Sequence, residues 1–96
     1  MLFRSMTDIC VLQSSMFRKS YKKLHANQKL EVDEAIAEIV KNPHVGESKT
    51  GDLAGVFVYK FKCCGQLTLL AYEFDPQTRH LLLLGSHENF YRDLKR

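Results

Sequence analysis

Apolar positions recur along this chain with more than one period, and each period names an element. Ile9-Cys10-Val11-Leu12 is a short continuous apolar run, which predicts a buried strand over residues 7–12. Phe17, Tyr21 and Leu24 then fall at i, i+4 and i+7, one face of a helix that Ser14 or Ser15 can cap. Val32, Ala35, Ile36, Ile39 and Val40 mark a longer amphipathic helix, with Asn27 as a candidate cap and Asn42-Pro43 as its stop. These two helices form a hairpin whose apolar faces need a sheet to cover. Gly46 to Gly55 is polar, contains three glycines and reads as a loop.

Beyond that loop the period changes to two. From Val56 to Lys62, Phe57, Tyr59 and Phe61 share one face while Val56, Val58, Lys60 and Lys62 share the other. The prediction is a strand with a core face and a wet, cationic face. Gly65-Gln66 lies in a turn, 67–74 is a second strand, and Asp75-Pro76-Gln77-Thr78 is another turn. Residues 79–84 are apolar on both faces, as in an interior strand, and two short connections make the three strands an antiparallel meander. The chain closes on a short helix, with Ser86 as its cap and Phe90 and Leu94 as its anchoring face. The expected fold is α+β in the order β-α-α-β-β-β-α. It has a small antiparallel sheet, the helical hairpin on one face, and a short C-terminal helix. At 96 residues it is one domain, 1–96, with 1–6 a loose extension because Met6 also reads as a start.

Composition narrows the setting. No apolar run approaches the roughly 20 residues of a membrane helix, and the first residues are too short and polar for a signal peptide. Three cysteines, Cys63 and Cys64 adjacent, make no disulfide framework and fit a reducing cytoplasm. The net charge of +3 is unevenly spread. Arg18, Lys19, Lys22, Lys23 and Lys29 follow one another with no acid between, and then Glu31, Asp33, Glu34 and Glu38 precede Lys41. Such a run points to a polyanionic partner or to a solvated helix face. His87 falls at the first position of the closing helix, where free N–H groups favour an anion; a helix start alone also accounts for it.

Several segments, in this order, resemble the RelE/ParE superfamily of toxins from bacterial type II toxin–antitoxin modules. Phe17-Arg18-Lys19-Ser20-Tyr21-Lys22-Lys23-Leu24 is similar to the family's first helix, and Gly51-Asp52-Leu53-Ala54-Gly55 to the approach to its second strand. Tyr59-Lys60-Phe61-Lys62 resembles the Tyr-Lys-x-Lys strand of the RelE branch, and Gly85-Ser86-His87 the last-strand exit of the YafQ branch. The resemblance runs from about Thr7 onward and implies a growth-arresting toxin held silent by a cognate antitoxin, with no membrane involved. RelE-like members cut messenger RNA on the ribosome without metal or cofactor.

That activity implies attack of a ribose 2′-hydroxyl on its neighbouring phosphate, which needs a base, positive charge on the pentavalent phosphate, and an acid for the leaving 5′ oxygen. Lys60 and Lys62 supply charge, and a lysine crowded by its neighbour can also serve as base. His87 titrates near neutrality and serves as acid or base, while Tyr91 stacks on or orients the substrate. Lys49, Arg79 and Arg92 are the expected RNA contacts. One departure keeps the ParE branch, which inhibits DNA gyrase, open as the alternative: Gly65-Gln66-Leu67-Thr68 lacks the arginine that RelE-type enzymes carry there. A scaffold that binds only antitoxin and operator DNA is a third reading.

Overall fold

Ser14 joins strand β1 (Cys10–Gln13) to helix α1 (Ser15–Lys22) and fixes both to the sheet. Its hydroxyl accepts from the Phe17 N–H at 3.0 Å and donates to the Leu82 carbonyl at 2.6 Å. One side chain therefore starts the helix and ties it to a strand far along the chain. The computed structural model describes residues 9–86 and Phe90. Helix α2 (Ala26–Lys41) begins at His25, two residues ahead of the Asn27 expected from the sequence. Gln28 Oε1 accepts from the His25 N–H at 2.9 Å, so the helix is closed by the returning half of a capping box rather than by a conventional cap side chain. Asn42 stops it, as expected, and a 3-10 turn, Pro43–Val45, carries the chain away.

The sheet has five strands in the order β1-β5-β4-β3-β2, the remainder being β2 (Glu47–Ser48), β3 (Phe57–Cys63), β4 (Gln66–Asp75) and β5 (Thr78–Ser86). Strands β3, β4 and β5 form the expected antiparallel meander. The sheet is nevertheless mixed, because β1 runs parallel to β5. The helical hairpin carries the chain from β1 at one edge of the sheet to β2 at the other, and the meander then returns it to β5 beside β1. Strand β2 arises inside the presumed loop, where two polar residues carry no alternation to reveal it. The β3–β4 turn is Cys64-Gly65, both with positive φ (54° and 83°), one residue earlier than expected.

A bulge in β5 settles how four consecutive leucines are divided. Ala71 pairs with Leu83 and Tyr72 with Leu81, leaving Leu82 as the extra residue. Leu81 and Leu84 consequently join Phe17, Val32, Ile39, Leu70 and Tyr72 in the core beneath the helices. Leu83 joins Val56, Val58, Leu69, Ala71 and Phe90 in a smaller core on the other face. Ser86, the expected cap of a closing helix over 86–96, is the last residue of β5, and of the rest of that segment only the buried Phe90 is among the described residues. Among those residues no helix is long and apolar enough to cross a membrane.

Fully buried Tyr72 latches the turn after α2 onto β4. Its hydroxyl donates to the Pro43 carbonyl at 2.7 Å and accepts from the Gly46 N–H at 2.9 Å. A Cβ at position 46 would lie 2.6 Å from that oxygen, so this close approach needs glycine. Burial pushes Tyr72 above its ordinary 10.0 and Cys63 above 9.0. Both groups are raised in the folded state, so their contribution is complete below the unfolded values and is lost as pH rises through the folded ones. The urea midpoint is expected to fall as pH rises above about 9, and Tyr72→Phe to shallow that fall. At neutral pH the same variant should cost about 1–2 kcal/mol, since it leaves two backbone groups unpaired. Identical alkaline slopes for the two proteins would rule out the latch as their source.

Candidate functional site

The strict alternation of β3 puts Tyr59, Phe61 and Cys63 under the helices and Lys60 and Lys62 on the opposite face. There both lysines are exposed, with Lys60 across from Leu69 and Lys62 across from Leu67. Their Cα atoms stand roughly 7 Å apart, two residues along one strand. That is close to the phosphate repeat of an extended nucleic-acid strand. Beside them the face is apolar, formed by Val58, Leu69, Ala71, Leu83 and Phe90. Charge displayed next to such a floor is less screened than on a wholly wet surface.

Lys49 reaches the same face from the end of β2. Its N–H donates to the Val56 carbonyl, and Glu47 pairs with Val58. The half-buried Lys49 ammonium lies 3.5 Å from the Glu47 carboxylate, so its field is partly cancelled. Lys49, Lys60 and Lys62 are therefore brought together on one side of the sheet.

Arg79 is not with them, and the expectation that it contacts RNA is corrected. It lies on the helix side, 5% exposed. Its guanidinium donates to the carbonyls of Ile39 (3.3 Å), Val40 (3.2 Å), Asp75 (2.8 Å) and Thr78 (3.2 Å). The fork thus caps the C-terminal turns of α2 and closes the β4–β5 connection. His87, Tyr91 and Arg92 lie outside the described residues. Ser86, which precedes His87, lines a hollow of about 510 Å³ with Met16, Ser20, Lys23, Leu83 and Phe90. Lys23 in this hollow was not singled out by the sequence, where it is one basic residue in a run. Among the described residues no group of three or more His, Cys, Asp or Glu side chains is placed to hold a metal ion. The lysine face can bind phosphates and stabilise negative charge that grows on them.

Comparison with known proteins gives a consistent picture. Residues 11–95 match the profile of a family described as ParE-like toxin of type II bacterial toxin–antitoxin systems. No curated protein matches the sequence. Among solved structures, a toxin–antitoxin complex RelBE from Mycobacterium tuberculosis is similar at 23% identity and a TM-score of 0.69, covering 82% of this chain and 98% of that one. The intact RelBE complex of E. coli gives 17% identity and 0.66, covering 83% and 98%. A YoeB/ParE toxin from Agrobacterium tumefaciens gives 15% and 0.67, covering 82% and 99%. At these identities the likeness is one of fold, and it extends over nearly the whole of each neighbour.

Proposed function

The chain belongs to the ParE-like toxins of type II bacterial toxin–antitoxin systems, and on that premise we propose that it arrests growth by cutting messenger RNA on the ribosome. The observation that carries this reading is the pair Lys60 and Lys62, exposed side by side on the open face of β3. In the proposed reaction the substrate lies across that face. A base removes the proton of a ribose 2′-hydroxyl, whose oxygen attacks the adjacent phosphorus. The two ammonium groups stabilise the charge that accumulates on the non-bridging oxygens. An acid delivers a proton to the departing 5′ oxygen as its bond to phosphorus breaks, leaving a cyclic phosphate. His87 takes one proton-transfer role because its ordinary pKa of about 6.5 lets it hold or release a proton near neutrality. Tyr91 orients the substrate, and Lys49 and Arg92 contact phosphates. Two of the similar structures are toxin–antitoxin complexes, which supports a cognate antitoxin as the regulating partner.

Strand β4 favours a second reading. It presents Leu67, Leu69 and Ala71 to the lysine face and carries no base there. A toxin of this family without that cation is better suited to inhibiting DNA gyrase by protein contact. Ribosome-supplemented cleavage of a message separates the two. Wild type is expected to cut and His87→Ala to lose at least about a hundredfold in rate, with antitoxin binding retained. Absence of cleavage by wild type, together with filamentation and DNA damage in expressing cells, would replace the nuclease reading by the gyrase one.

A further inference from the structure

The β3–β4 turn holds two adjacent thiols. Cys63 ends β3 and pairs with Gln66, the first residue of β4, so Cys64-Gly65 is a two-residue hairpin loop. Both loop residues have positive φ, 54° at Cys64 and 83° at Gly65. Glycine meets that demand without steric cost, whereas a Cβ is disfavoured there. Asparagine, aspartate or glycine is the usual occupant of the first loop position. Among the described residues Cys64 is the one non-glycine with positive φ. A strained slot filled by a residue whose distinguishing group is a thiol points to a use for that thiol.

The turn is tied to the start of α2. The Cys63 thiol donates to the Gln28 carbonyl at 3.6 Å, and the Cys64 N–H to Glu31 Oε1 at 3.3 Å. Burial, then the neighbouring Cys64 and Glu31, and last a side-chain hydrogen bond with Cys64 hold the Cys63 thiol above its ordinary range. A bond of that kind sets the two sulfurs side by side. Cys64 is exposed and Cys63 buried. A hollow of about 260 Å³, open to solvent and lined by Leu24, Gln28, Val32, Gln66 and Thr68, nevertheless has Cys63 in its wall. Cys10, the remaining cysteine, lies on β1, three strands from β3. That is roughly 14 Å away, beyond the reach of a disulfide.

We propose that Cys63 and Cys64 form a redox modification site, which a hydroperoxide converts into a disulfide between adjacent residues and a small thiol reverses. Cys64, as thiolate, attacks one oxygen of the peroxide. The O–O bond breaks, hydroxide leaves and takes up a proton, and Cys64 becomes a sulfenic acid. The Cys63 sulfur then attacks the Cys64 sulfur. An S–S bond forms, the S–O bond breaks, and the hydroxide departs as water with the Cys63 proton. Each sulfur has given up one electron, and one peroxide has become two waters. Consecutive Cα atoms stand about 3.8 Å apart, closer than a relaxed disulfide spans, so the product is readily reduced. Forming it draws the Cys63 sulfur from the Gln28 carbonyl and out of the core shared with Val32, Leu70 and Leu84. The regulatory consequence rests on the nuclease reading: Lys62, the residue before Cys63, moves with the end of β3, and cleavage falls.

The test uses the full chain, reduced and then treated with one equivalent of hydrogen peroxide under folded conditions. Intact mass and peptide mapping are expected to show two of the three thiols lost and residues 63 and 64 joined in a monomeric chain. Dithiothreitol should restore both thiols, and Cys10→Ser should react like wild type. Cys64→Ser, at an exposed position, should react at least about tenfold more slowly. Cys63→Ser should stop at a sulfenic acid on Cys64 that dimedone traps. Thiols that survive the peroxide, wild-type oxidation that ends in sulfenic or sulfinic acid, cross-linking of two chains, or an unchanged rate in Cys64→Ser would overturn the proposal. The oxidised chain is expected to cut a message about tenfold more slowly than the reduced one. Thiol counts do not depend on RNA, so a chain that cuts in neither state sinks the nuclease reading while the mapping still decides the redox site.

Discussion

Replacing Lys60 and Lys62 together by alanine is expected to abolish growth arrest and to lower message cleavage at least about a hundredfold, with the fold intact. The fold should survive because both side chains are exposed and lie on a face whose core is made by their neighbours. Exposed substitutions of this kind usually change stability by less than about 0.5 kcal/mol. The activity should not survive, because the other described cation on this face, Lys49, is held 3.5 Å from Glu47. Replacing both lysines by arginine separates two roles. Arginine keeps the charge but cannot release its proton, so it should preserve RNA affinity and its salt dependence. Any remaining loss in rate then reports proton transfer by a lysine. Unchanged toxicity of the double alanine variant at equal expression would remove these residues from the mechanism.

Much of this arrangement could be read from the chain because it depends on local pattern. The alternation from Val56 to Lys62 placed both lysines on one face, and the Asn42-Pro43 stop marked where α2 ends. What could not be read depends on pairing. Leu81-Leu82-Leu83-Leu84 has one identity at four positions, and only the bulge against Ala71 and Tyr72 decides which leucines face the helices. Glu47-Ser48 is a strand solely because β3 lies beside it. The parallel pairing of β1 with β5 needs the helical hairpin and the meander to be in place. Glu31, Glu34 and Glu38 of α2 line one groove with Tyr59 and Phe61 of β3, far along the chain, and no sequence spacing announces it. Arg79 shows the same limit at one residue. A basic residue at the start of a strand in a cationic protein reads as a nucleic-acid contact until the α2 carbonyls are seen around it.

That reassignment carries the largest expected effect on stability. Arg79→Ala should lower the unfolding free energy by about 3 kcal/mol, which in a chain of this size is a fall of roughly 12–24 °C in Tm. Four carbonyl groups lose their donor, two of them in the last turns of α2, where a cation also complements the helix dipole. Contact between the guanidinium and the Phe74 ring, 5.7 Å from its centroid, is lost as well. Arg79→Lys keeps the charge but brings one ammonium group to a site shaped for a planar fork, so about half the loss should remain. A phosphate contact would behave in the opposite way. Arg79→Lys would then melt like wild type, and RNA affinity would fall in both variants. Thermal unfolding beside RNA binding under folded conditions distinguishes the cases. The cap predicts that any loss of toxicity follows the folded fraction, because α2 leads through the Pro43 turn to the Tyr72 latch and so to β2 and to Lys49 just beyond it.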